Sequence, residues 1–236
     1  MAKKRNKKFL IRGCIAVLLV AMTLCSMVGC SPKDSVGKAA SDESEKALSY
    51  GEYDKASSAA DLYCLEFSSF SGAFVEDGKN EEVEDVAMIL VENRAKDFLD
   101  RATITYKYGE KTATFVVTGL PAGKKCWVME KDKLVLEGDT SFEFEDCVPA
   151  FKTDAILSSD LISTTTKDNT ITIENVSRNT LENVSVYYKN TFDDGNYFGG
   201  ITYVMNYGTL KPGQTLEKAA GHFDANSRIV RFSYQV

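Results

Sequence analysis

The sequence predicts an all-β protein with two tandem β-sandwich domains, at residues 61–155 and 156–236, and three observations support this prediction. Short runs of β-branched and aromatic residues alternate with Gly, Pro and charged turns. No long apolar stripe with the period of a helix appears. One stretch of the chain also matches a later stretch at a constant offset, which indicates that one fold is encoded twice.

The length and charge of the chain narrow the classes of function. Its 236 residues fit one large or two small domains. The first 29 positions hold six basic residues and no acid, so the remainder holds 22 basic against 34 acidic side chains. Because a protein that tracks phosphates needs a basic face, this acidic remainder argues against a nucleic-acid partner.

The amino-terminal residues have the pattern of an export signal. A cationic head, Lys3–Lys8, precedes an uncharged run, Cys14–Val28, which is short for a membrane-spanning helix. The run ends in Met27-Val28-Gly29-Cys30, which resembles the lipobox of bacterial lipoproteins. The resemblance implies that residues 1–29 are a signal peptide and that Cys30 carries the lipid anchor, on the extracytoplasmic face of the cell membrane. A plain cleaved signal and a retained membrane anchor are the alternatives.

Residues 30–60 are predicted to form a lipidated, flexible tether. This stretch is rich in Ser, Ala, Lys, Asp and Glu, so it buries too little apolar area to offset the entropy of ordering.

A second polar stretch, Glu76–Asp85, is predicted to be a solvated loop before the first strong strand. Its carboxylates suit calcium, but their spacing matches no EF-hand loop, and we therefore expect no metal there.

The residues that follow have the periodicity of strands. Val86–Val91 is a continuous apolar run, and Ile104, Tyr106 and Tyr108 then alternate with polar residues. Further short runs rich in β-branched or aromatic residues are Thr112–Thr118, Cys126–Met129, Leu134–Leu136 and Phe142–Phe144. Short strands with frequent turns are typical of a β-sandwich.

An internal repeat predicts two copies of this fold. Residues 92–107 align with residues 174–189 without a gap, at a constant offset of 82. Both copies then reach a Leu-x-x-Gly turn, Leu120–Gly123 and Leu210–Gly213, at an offset of 90. The eight extra residues fall in the hairpin after Lys189. Loops accept insertions whereas paired strands do not, so the difference in length is what two copies of one fold should show.

Three cysteines remain in the predicted mature body. Cys64, Cys126 and Cys147 are an odd number, so they cannot all pair within one monomer. A bridge between Cys126 and Cys147, with Cys64 free, is one interpretation, and three reduced core thiols are the other. No C-x-x-C or His-containing cluster occurs, so the sequence predicts neither a zinc site nor any other cofactor.

The reactive residue types do not indicate an enzyme. His222 is the only imidazole, and no G-x-S-x-G nucleophile motif accompanies it. Gly199-Gly200 is followed by a strand-like segment, so it predicts no phosphate-binding loop. Paired carboxylates for glycoside hydrolysis remain the open catalytic alternative, because the chain is rich in acids whose positions across a cleft the sequence does not define.

The hairpin tip of the second copy is the candidate contact surface. Phe192, Tyr197 and Phe198 lie on the insertion that distinguishes this copy, and exposed aromatic side chains stack on sugars or anchor protein partners. The alternative is a loop that folds its aromatic residues back over the end of the sandwich.

In the strand before this hairpin, the adjacent residues Tyr187 and Tyr188 must point to opposite faces, so only one of them lies in the core.

From about residue 85 to the carboxyl end, the chain resembles a group of uncharacterised two-domain lipoproteins of Gram-positive gut bacteria. The resemblance rests on the lipobox, the Ser-rich tether and two segments, Val91–Gly123 and Tyr187–Tyr203. It implies an architecture and no activity. The second copy is also similar to immunoglobulin-like and fibronectin-like modules of bacterial surface proteins, which bind, space or assemble.

Together these features predict a lipid-anchored surface protein that acts as a non-catalytic binding or adhesion module. We expect the lipid to hold it to the membrane and a glycan or a protein to be its ligand. One alternative is an extracytoplasmic hydrolase acting on glycans or peptides, which requires a cleft lined by two or three carboxylates. A solute-binding subunit of an importer is a further alternative, although such subunits have two α/β lobes.

Overall fold

The computed structural model describes residues 61–137 and 141–236, and this part of the chain is all-β, as predicted. It contains twelve strands and no helix. The strands are β1 (Leu62–Phe74), β2 (Glu81–Asn93), β3 (Phe98–Tyr108), β4 (Lys111–Leu120), β5 (Lys125–Met129), β6 (Phe142–Lys152), β7 (Ile162–Lys167), β8 (Thr170–Asn175), β9 (Leu181–Thr191), β10 (Tyr197–Leu210), β11 (Thr215–Ala219) and β12 (Arg228–Gln235). The predicted signal peptide, Cys30 and the tether lie outside the described residues. Within those residues no helix has the length and apolar character needed to cross a membrane.

The strands form three sheets. The largest has six strands in the order β1-β2-β5-β10-β9-β12, and two three-stranded sheets have the orders β4-β3-β6 and β11-β8-β7. We call β1–β6 the first strand set and β7–β12 the second strand set. The two sets are joined in the six-stranded sheet by a short parallel pairing of β5 with β10. In this pair Cys126 lies opposite Tyr197 and Trp127 lies opposite Phe198. Facing sheets around apolar cores are compatible with a β-sandwich.

The two strand sets have the same strand order. In the first set β1-β2-β5 lies across an apolar core from β4-β3-β6, and in the second set β7-β8-β11 lies across a core from β10-β9-β12. Adding six to every strand number of the first set gives the second set. This correspondence is the arrangement that the internal repeat predicts. The six-stranded sheet therefore contains one layer from each set.

Asn93 and Asn175, which the repeat aligns, have matching hydrogen bonds at the ends of β2 and β8. Both side chains are fully buried. The Nδ2 group of Asn93 donates to the carbonyl of Leu120 at 2.9 Å, and that of Asn175 donates to the carbonyl of Leu210 at 2.9 Å. Each Nδ2 group also donates to the carbonyl four residues later, at 3.0 and 2.8 Å. Each asparagine thus ties the end of one sheet to a strand of the facing sheet.

The hairpin that the sequence predicts to hold the insertion is longer in the second strand set. β3 ends at Tyr108 and β4 begins at Lys111, whereas β9 ends at Thr191 and β10 begins only at Tyr197. The pairing of β10 with β9 is also irregular between Phe198 and Tyr203. The longer hairpin reaches the first strand set, where its tip contacts the outer face of β1-β2-β5.

Strand β2 is buried on both faces, which explains its continuous apolar run. Ala87, Ile89 and Val91 enter the core between β1-β2-β5 and β4-β3-β6. The residues between them enter a third cluster on the opposite face of β1-β2-β5, which includes Met88 and Trp127. A strand that is covered on both sides needs apolar residues at every position rather than at alternate positions.

The acidic stretch is a loop only in its first half, and the prediction of a loop through Asp85 was wrong for the second half. Strand β2 begins at Glu81, which pairs with Phe74 of β1. Glu81 and Asp85 are both exposed. Glu81 takes part in the ladder, whereas Asp85 lies at an irregularity between the pairs Gly72–Val83 and Phe70–Val86. Charged side chains are compatible with a strand where they face solvent.

All three described cysteines are buried free thiols, so the interpretation as reduced core residues agrees with the structure and the Cys126–Cys147 bridge is absent. Cys64 and Cys126 lie in β1 and β5, and Cys147 lies in β6 on the other side of the first core. Burial raises the pKa of Cys64 and Cys147 to about 12 and that of Cys126 to about 11. The thiols therefore stay protonated at neutral pH.

Candidate functional site

A pocket of about 360 Å³ opens where the two strand sets meet, between β4, the end of β5 and β10. Its volume lies near the lower end of the range for small-molecule sites. The residues that line it are Glu76, Val116, Thr118, Met129, Lys131, Gly200, Ile201 and Thr202. The pocket combines one acid, one base and two hydroxyls with apolar walls, so polar and apolar groups converge on one small space.

Glu76 follows the end of β1 and brings a carboxylate into this junction. Its Oε1 accepts hydrogen bonds from the backbone N–H groups of Met129 at 2.9 Å and Gly200 at 2.8 Å. One carboxylate thereby links β5 of the first strand set to β10 of the second. Burial raises the pKa of Glu76, while the backbone N–H donors and the nearby charge of Lys189 act in the opposite direction.

Lys189 of β9 is fully buried behind the pocket. Its Nζ lies within hydrogen-bond distance of four carbonyls, those of Thr118 at 3.1 Å, Gly199 at 2.9 Å, Gly200 at 3.3 Å and Ile201 at 2.7 Å, so its three hydrogens are shared among them. Three of these carbonyls belong to the irregular part of β10, and the carbonyl of Thr118 belongs to β4 of the other strand set. The ammonium is therefore a shared donor to carbonyls of both strand sets at a place where the pairing of β10 with β9 is irregular.

The charge of Lys189 is balanced by nearby groups rather than by a direct ion pair. Burial lowers the pKa of the ammonium, and electrostatic interactions with Cys126 and Glu76 act to raise it. Because the Cys126 thiol is protonated at neutral pH, Glu76 is the group that supplies the opposite charge there. The Cys126 thiol donates to the carbonyl of Gly199 at 3.2 Å. Glu76 and Lys189 thus carry opposite charges on the two sides of the Gly199-Gly200 backbone, and each lowers the cost of burying the other.

Two glycines allow β4 and β10 to approach closely enough to form the pocket. A Cβ atom on Gly200 would lie 1.8 Å from the carbonyl oxygen of Val116, a distance that no side chain tolerates. Gly119 has a φ of 60°, and a Cβ atom there would lie 2.3 Å from the hydroxyl of Thr202. Glycine is therefore required at position 200 by direct contact with the backbone of β4, and at position 119 by its positive φ and by the side chain of Thr202.

The hydroxyl groups of the two threonines in the pocket lining donate their hydrogen bonds to oxygen atoms of the protein. The hydroxyl of Thr118 lies 2.8 Å from the carbonyl of Gly200 and 2.9 Å from the hydroxyl of Thr202. The hydroxyl of Thr202 donates to the carbonyl of Thr118 at 2.9 Å. Because each hydroxyl has one hydrogen and two lone pairs, the groups that both threonines still offer are acceptors.

Lys131 is the basic residue of the pocket lining. Its side chain is 48% exposed, and its Nζ lies 3.3 Å from the carboxylate of Asp132, a solvent-exposed pair that contributes little to stability. Its backbone N–H donates to the carbonyl of Thr114 at 3.0 Å, which fixes the start of this side chain beside β4. Lys131 therefore offers ammonium donors on a flexible stem.

Two of the three predicted contact residues, Phe192 and Phe198, lie on the face of β1-β2-β5 that is opposite the first core. Phe192 and Phe198 are half-buried, with ring centroids 5.0 Å apart, and Phe198 lies 5.1 Å from Phe70 of β1. Tyr197 is also half-buried and packs against the first core. The aromatic residues thus fold back over the sheet, as the alternative interpretation of this loop describes. Their role as a contact surface stays a prediction.

The single tryptophan fixes this hairpin tip. The Nε1 group of Trp127 in β5 donates to the carboxylate of Asp194 at 2.8 Å. Trp127 is 7% exposed and belongs to the apolar cluster that the tip covers. Because the indole N–H needs an acceptor when it is buried, this bond explains why an acid lies among the aromatic residues of the tip.

His222 lies in a ring stack and is not a member of the pocket lining. Its imidazole stacks on Tyr203 with ring centroids 4.6 Å apart, and Tyr203 stacks on Tyr188 with ring centroids 5.1 Å apart.

Tyr188 lies in the second core, whereas Tyr187 points to the other face, where the guanidinium carbon of Arg231 lies 3.9 Å from its ring centroid. The prediction that only one of the two adjacent tyrosines lies in the core is confirmed.

Sequence reasoning did not find Glu76 or Lys189 as site residues. The sequence predicts a solvated loop at Glu76, and it gives Lys189 no role beyond its alignment with Lys107. The usable signal was Gly199-Gly200, because two adjacent glycines within a strand indicate close approach of another backbone. Of the residues at 61–137 and 141–236, no group of three or more His, Cys, Asp or Glu side chains could hold a metal ion.

Comparison with known proteins adds no assignment. No protein-family model matches the chain, and no curated protein matches it. The fold and the junction pocket therefore define the described part of the chain as an all-β protein with two strand sets of equal order and, between them, a small pocket with both polar and apolar walls.

Proposed function

We propose that the protein is a lipid-anchored cell-surface binding module whose ligand occupies the junction pocket, and that it is not an enzyme. The observation that carries the proposal is the rigid construction of the pocket. Glu76 and Lys189 hold its walls with hydrogen bonds to backbone groups of both strand sets, and two glycines fix how closely the walls approach. A preformed pocket loses little conformational entropy when a ligand binds.

The proposed architecture is two tandem immunoglobulin-like or fibronectin-like domains, at residues 61–155 and 156–236, after a tether at residues 30–60. In each strand set the first, second and fifth strands form one sheet, and the third strand is central to the other. In immunoglobulin-type sandwiches strands A, B and E share a sheet while C and F lie in the facing one. The strand orders support this assignment, with the last strand of the usual seven lacking among the described residues.

The number of carboxylates in the pocket favours binding over hydrolysis as its function. Of the described residues that line it, Glu76 alone carries a carboxylate. Glycoside hydrolases position two carboxylates on opposite sides of the scissile bond. Oε1 of Glu76 also already accepts two backbone N–H groups, so that oxygen is committed to structure. The extracytoplasmic hydrolase remains the alternative, and a turnover product from a glycan or peptide would favour it.

The proposed anchor is a diacylglyceryl group on Cys30, which would hold the protein to the extracytoplasmic face of the membrane. Each buried methylene contributes about 0.8 kcal/mol, and two acyl chains give stable attachment. The test is mass spectrometry of the protein purified from membranes. A mature chain that begins at Cys30 with the mass of the lipid is expected, and an unmodified thiol at this position would contradict the anchor.

The binding proposal is tested by saturation-transfer NMR of the full chain against a chemically diverse fragment library. We expect binding fragments whose signals disappear in Val116→Phe, because the larger side chain fills the pocket. Val148→Phe is the matched control, since Val148 is 62% exposed on β6 and does not line the pocket. Fragments that bind all three proteins equally, or no binding fragment at all, would contradict the proposal.

A further inference from the structure

We propose that the junction pocket binds a neutral, hydroxyl-rich ring the size of one sugar residue, such as the terminal unit of a glycan. This inference rests on the proposed function, because it names the ligand class of the same pocket. Three properties of the lining support it: the balance of donors and acceptors, the balance of charge, and the size and shape of the pocket.

The polar groups on one side of the pocket are acceptors. Glu76 offers carboxylate oxygens, and the hydroxyls of Thr118 and Thr202 direct their hydrogens to oxygens of the protein. A ligand that meets these groups must supply hydrogen-bond donors. Lys131 supplies donors of its own, so the ligand must also accept. A hydroxyl group does both, and a ring with several hydroxyls presents such groups in several directions.

The charges around the pocket cancel. Glu76 lines the pocket as an acid, and the buried ammonium of Lys189 lies on the other side of Gly200, whose backbone both groups contact. Lys131 is paired with Asp132 at 3.3 Å. A cationic ligand would be attracted by the two acids and repelled by the two lysines, and an anionic ligand would meet the opposite forces, so neither gains a net attraction. A neutral ligand has no such penalty and keeps the buried charges in their existing balance.

The apolar part of the lining and the volume fit one ring. Val116 and Ile201 place aliphatic surface beside the polar groups, and sugar rings combine a hydroxyl edge with an apolar C–H face. The volume of about 360 Å³ is large enough to hold one such ring. The pocket is partly open, so the rest of a glycan can extend into solvent.

The experiment uses the full chain in dodecylphosphocholine micelles, because that detergent has no sugar headgroup to compete. Saturation-transfer NMR is recorded with glucose, galactose, mannose and N-acetylglucosamine, and with acetate and ethylammonium as charged probes. We expect transfer to at least one sugar and to neither ion. The signal should disappear in Val116→Phe and persist in Val148→Phe.

The variant Thr202→Val tests the acceptor argument without changing the volume of the side chain. Loss of one hydrogen-bond acceptor should weaken sugar binding roughly fivefold. Thr105→Val is the matched control, because its hydroxyl also lies near a backbone carbonyl but does not line the pocket. Should Val116→Phe fail to fold, which thermal unfolding would reveal, the comparison of the two threonine variants still decides the question.

The outcomes separate the ligand class from the proposed function. Transfer to acetate or ethylammonium but to no sugar, lost in Val116→Phe, would overturn the sugar proposal and leave the pocket as a binding site. Transfer to a sugar that is equal in the wild type, Val116→Phe and Thr202→Val would overturn the placement in this pocket. Fragment hits that depend on Val116, without transfer to any of the four sugars, would also overturn the ligand class alone.

Discussion

The ammonium of Lys189 in β9 donates to the carbonyl of Thr118 in β4 at 3.1 Å, so a buried charge of the second strand set holds the edge of the first. Three carbonyls of β10 accept from the same ammonium. Carbonyl groups of both strand sets thus accept hydrogen bonds from the same nitrogen atom. This lysine therefore adds a second link between the strand sets to the two-residue parallel pair between β5 and β10.

Replacement of Lys189 by methionine should therefore destabilise the protein strongly. Lys189→Met keeps the length of the side chain but leaves the carbonyl of Ile201 without its donor and Glu76 without a compensating charge. The carbonyls of Thr118, Gly199 and Gly200 each lose one of two donors. Unsatisfied buried polar groups cost about 1–3 kcal/mol each, so we expect a loss of at least about 3 kcal/mol in the free energy of unfolding. Denaturant unfolding followed by fluorescence of Trp127 measures it.

The internal repeat supplies the control for this variant. Lys107 occupies the aligned position in the first strand set, and its side chain is exposed. Lys107→Met makes the same chemical change where no carbonyl depends on the ammonium, so its stability should stay close to that of the wild type. Equal effects of the two substitutions would refute the role assigned to Lys189.

The equivalent asparagines should contribute similarly to the two strand sets. Asn93→Ala removes the donor to the carbonyl of Leu120, and Asn175→Ala removes the donor to the carbonyl of Leu210. Each change leaves buried backbone groups unsatisfied, and we expect each to cost about 2 kcal/mol. Thermal or denaturant unfolding of both variants tests this expectation.

Asn169→Ala is the appropriate comparison, because Asn169 is exposed in the turn between β7 and β8. It should change stability little. A marked loss in Asn93→Ala with none in Asn175→Ala would show that the two copies no longer share the same structural requirement.

The strands of the body and the correspondence of the two copies could be predicted from the sequence. Val86–Val91 is recognisable as a strand because a strand covered on both faces needs apolar residues at every position. The repeat could be read because the buried contacts at Asn93 and Asn175 require the same residue in both copies. Strand β1 was less predictable, since its serines give only a weak alternation.

The pocket could not be predicted in the same way. Glu76 lies in a run of acids, most of which face solvent. Its carboxylate is buried because it accepts hydrogen bonds from the backbone N–H groups of Met129 and Gly200, and these residues are distant in sequence. Lys189 is buried because the longer β9–β10 hairpin brings carbonyls around it that Lys107 lacks. Tertiary contacts decide both outcomes, and local patterns do not encode them.

The three buried cysteines should resist thiol reagents in the folded protein. Burial raises the pKa of Cys64 and Cys147 to about 12 and that of Cys126 to about 11, and the thiolate is the reactive form. Iodoacetamide at pH 8, followed by peptide mass mapping of the full chain, should therefore find these residues unlabelled. The same treatment in guanidinium chloride should label all three. Rapid labelling of any of them without denaturant would contradict their burial.

The stability of the junction should depend on pH through Glu76. Burial raises the pKa of this carboxyl above its ordinary value of 4.5, so the folded protein holds the proton more tightly than the unfolded chain does. The favourable contribution of protonated Glu76 is fully present below about pH 4.5 and is lost as the pH rises through the raised pKa. Glutamine has no proton to lose, so Glu76→Gln lacks this dependence.

The measurable quantity is the difference in the free energy of unfolding between the wild type and Glu76→Gln, taken in the same buffers from pH 4 to pH 8. Relative to the variant, the wild type should be most stable at the acidic end, and its advantage should shrink towards neutral pH. Subtraction removes the titration of the other acids, because both proteins carry them. A difference that stays constant, or that grows as the pH rises, would mean that the environment of Glu76 does not favour the protonated form.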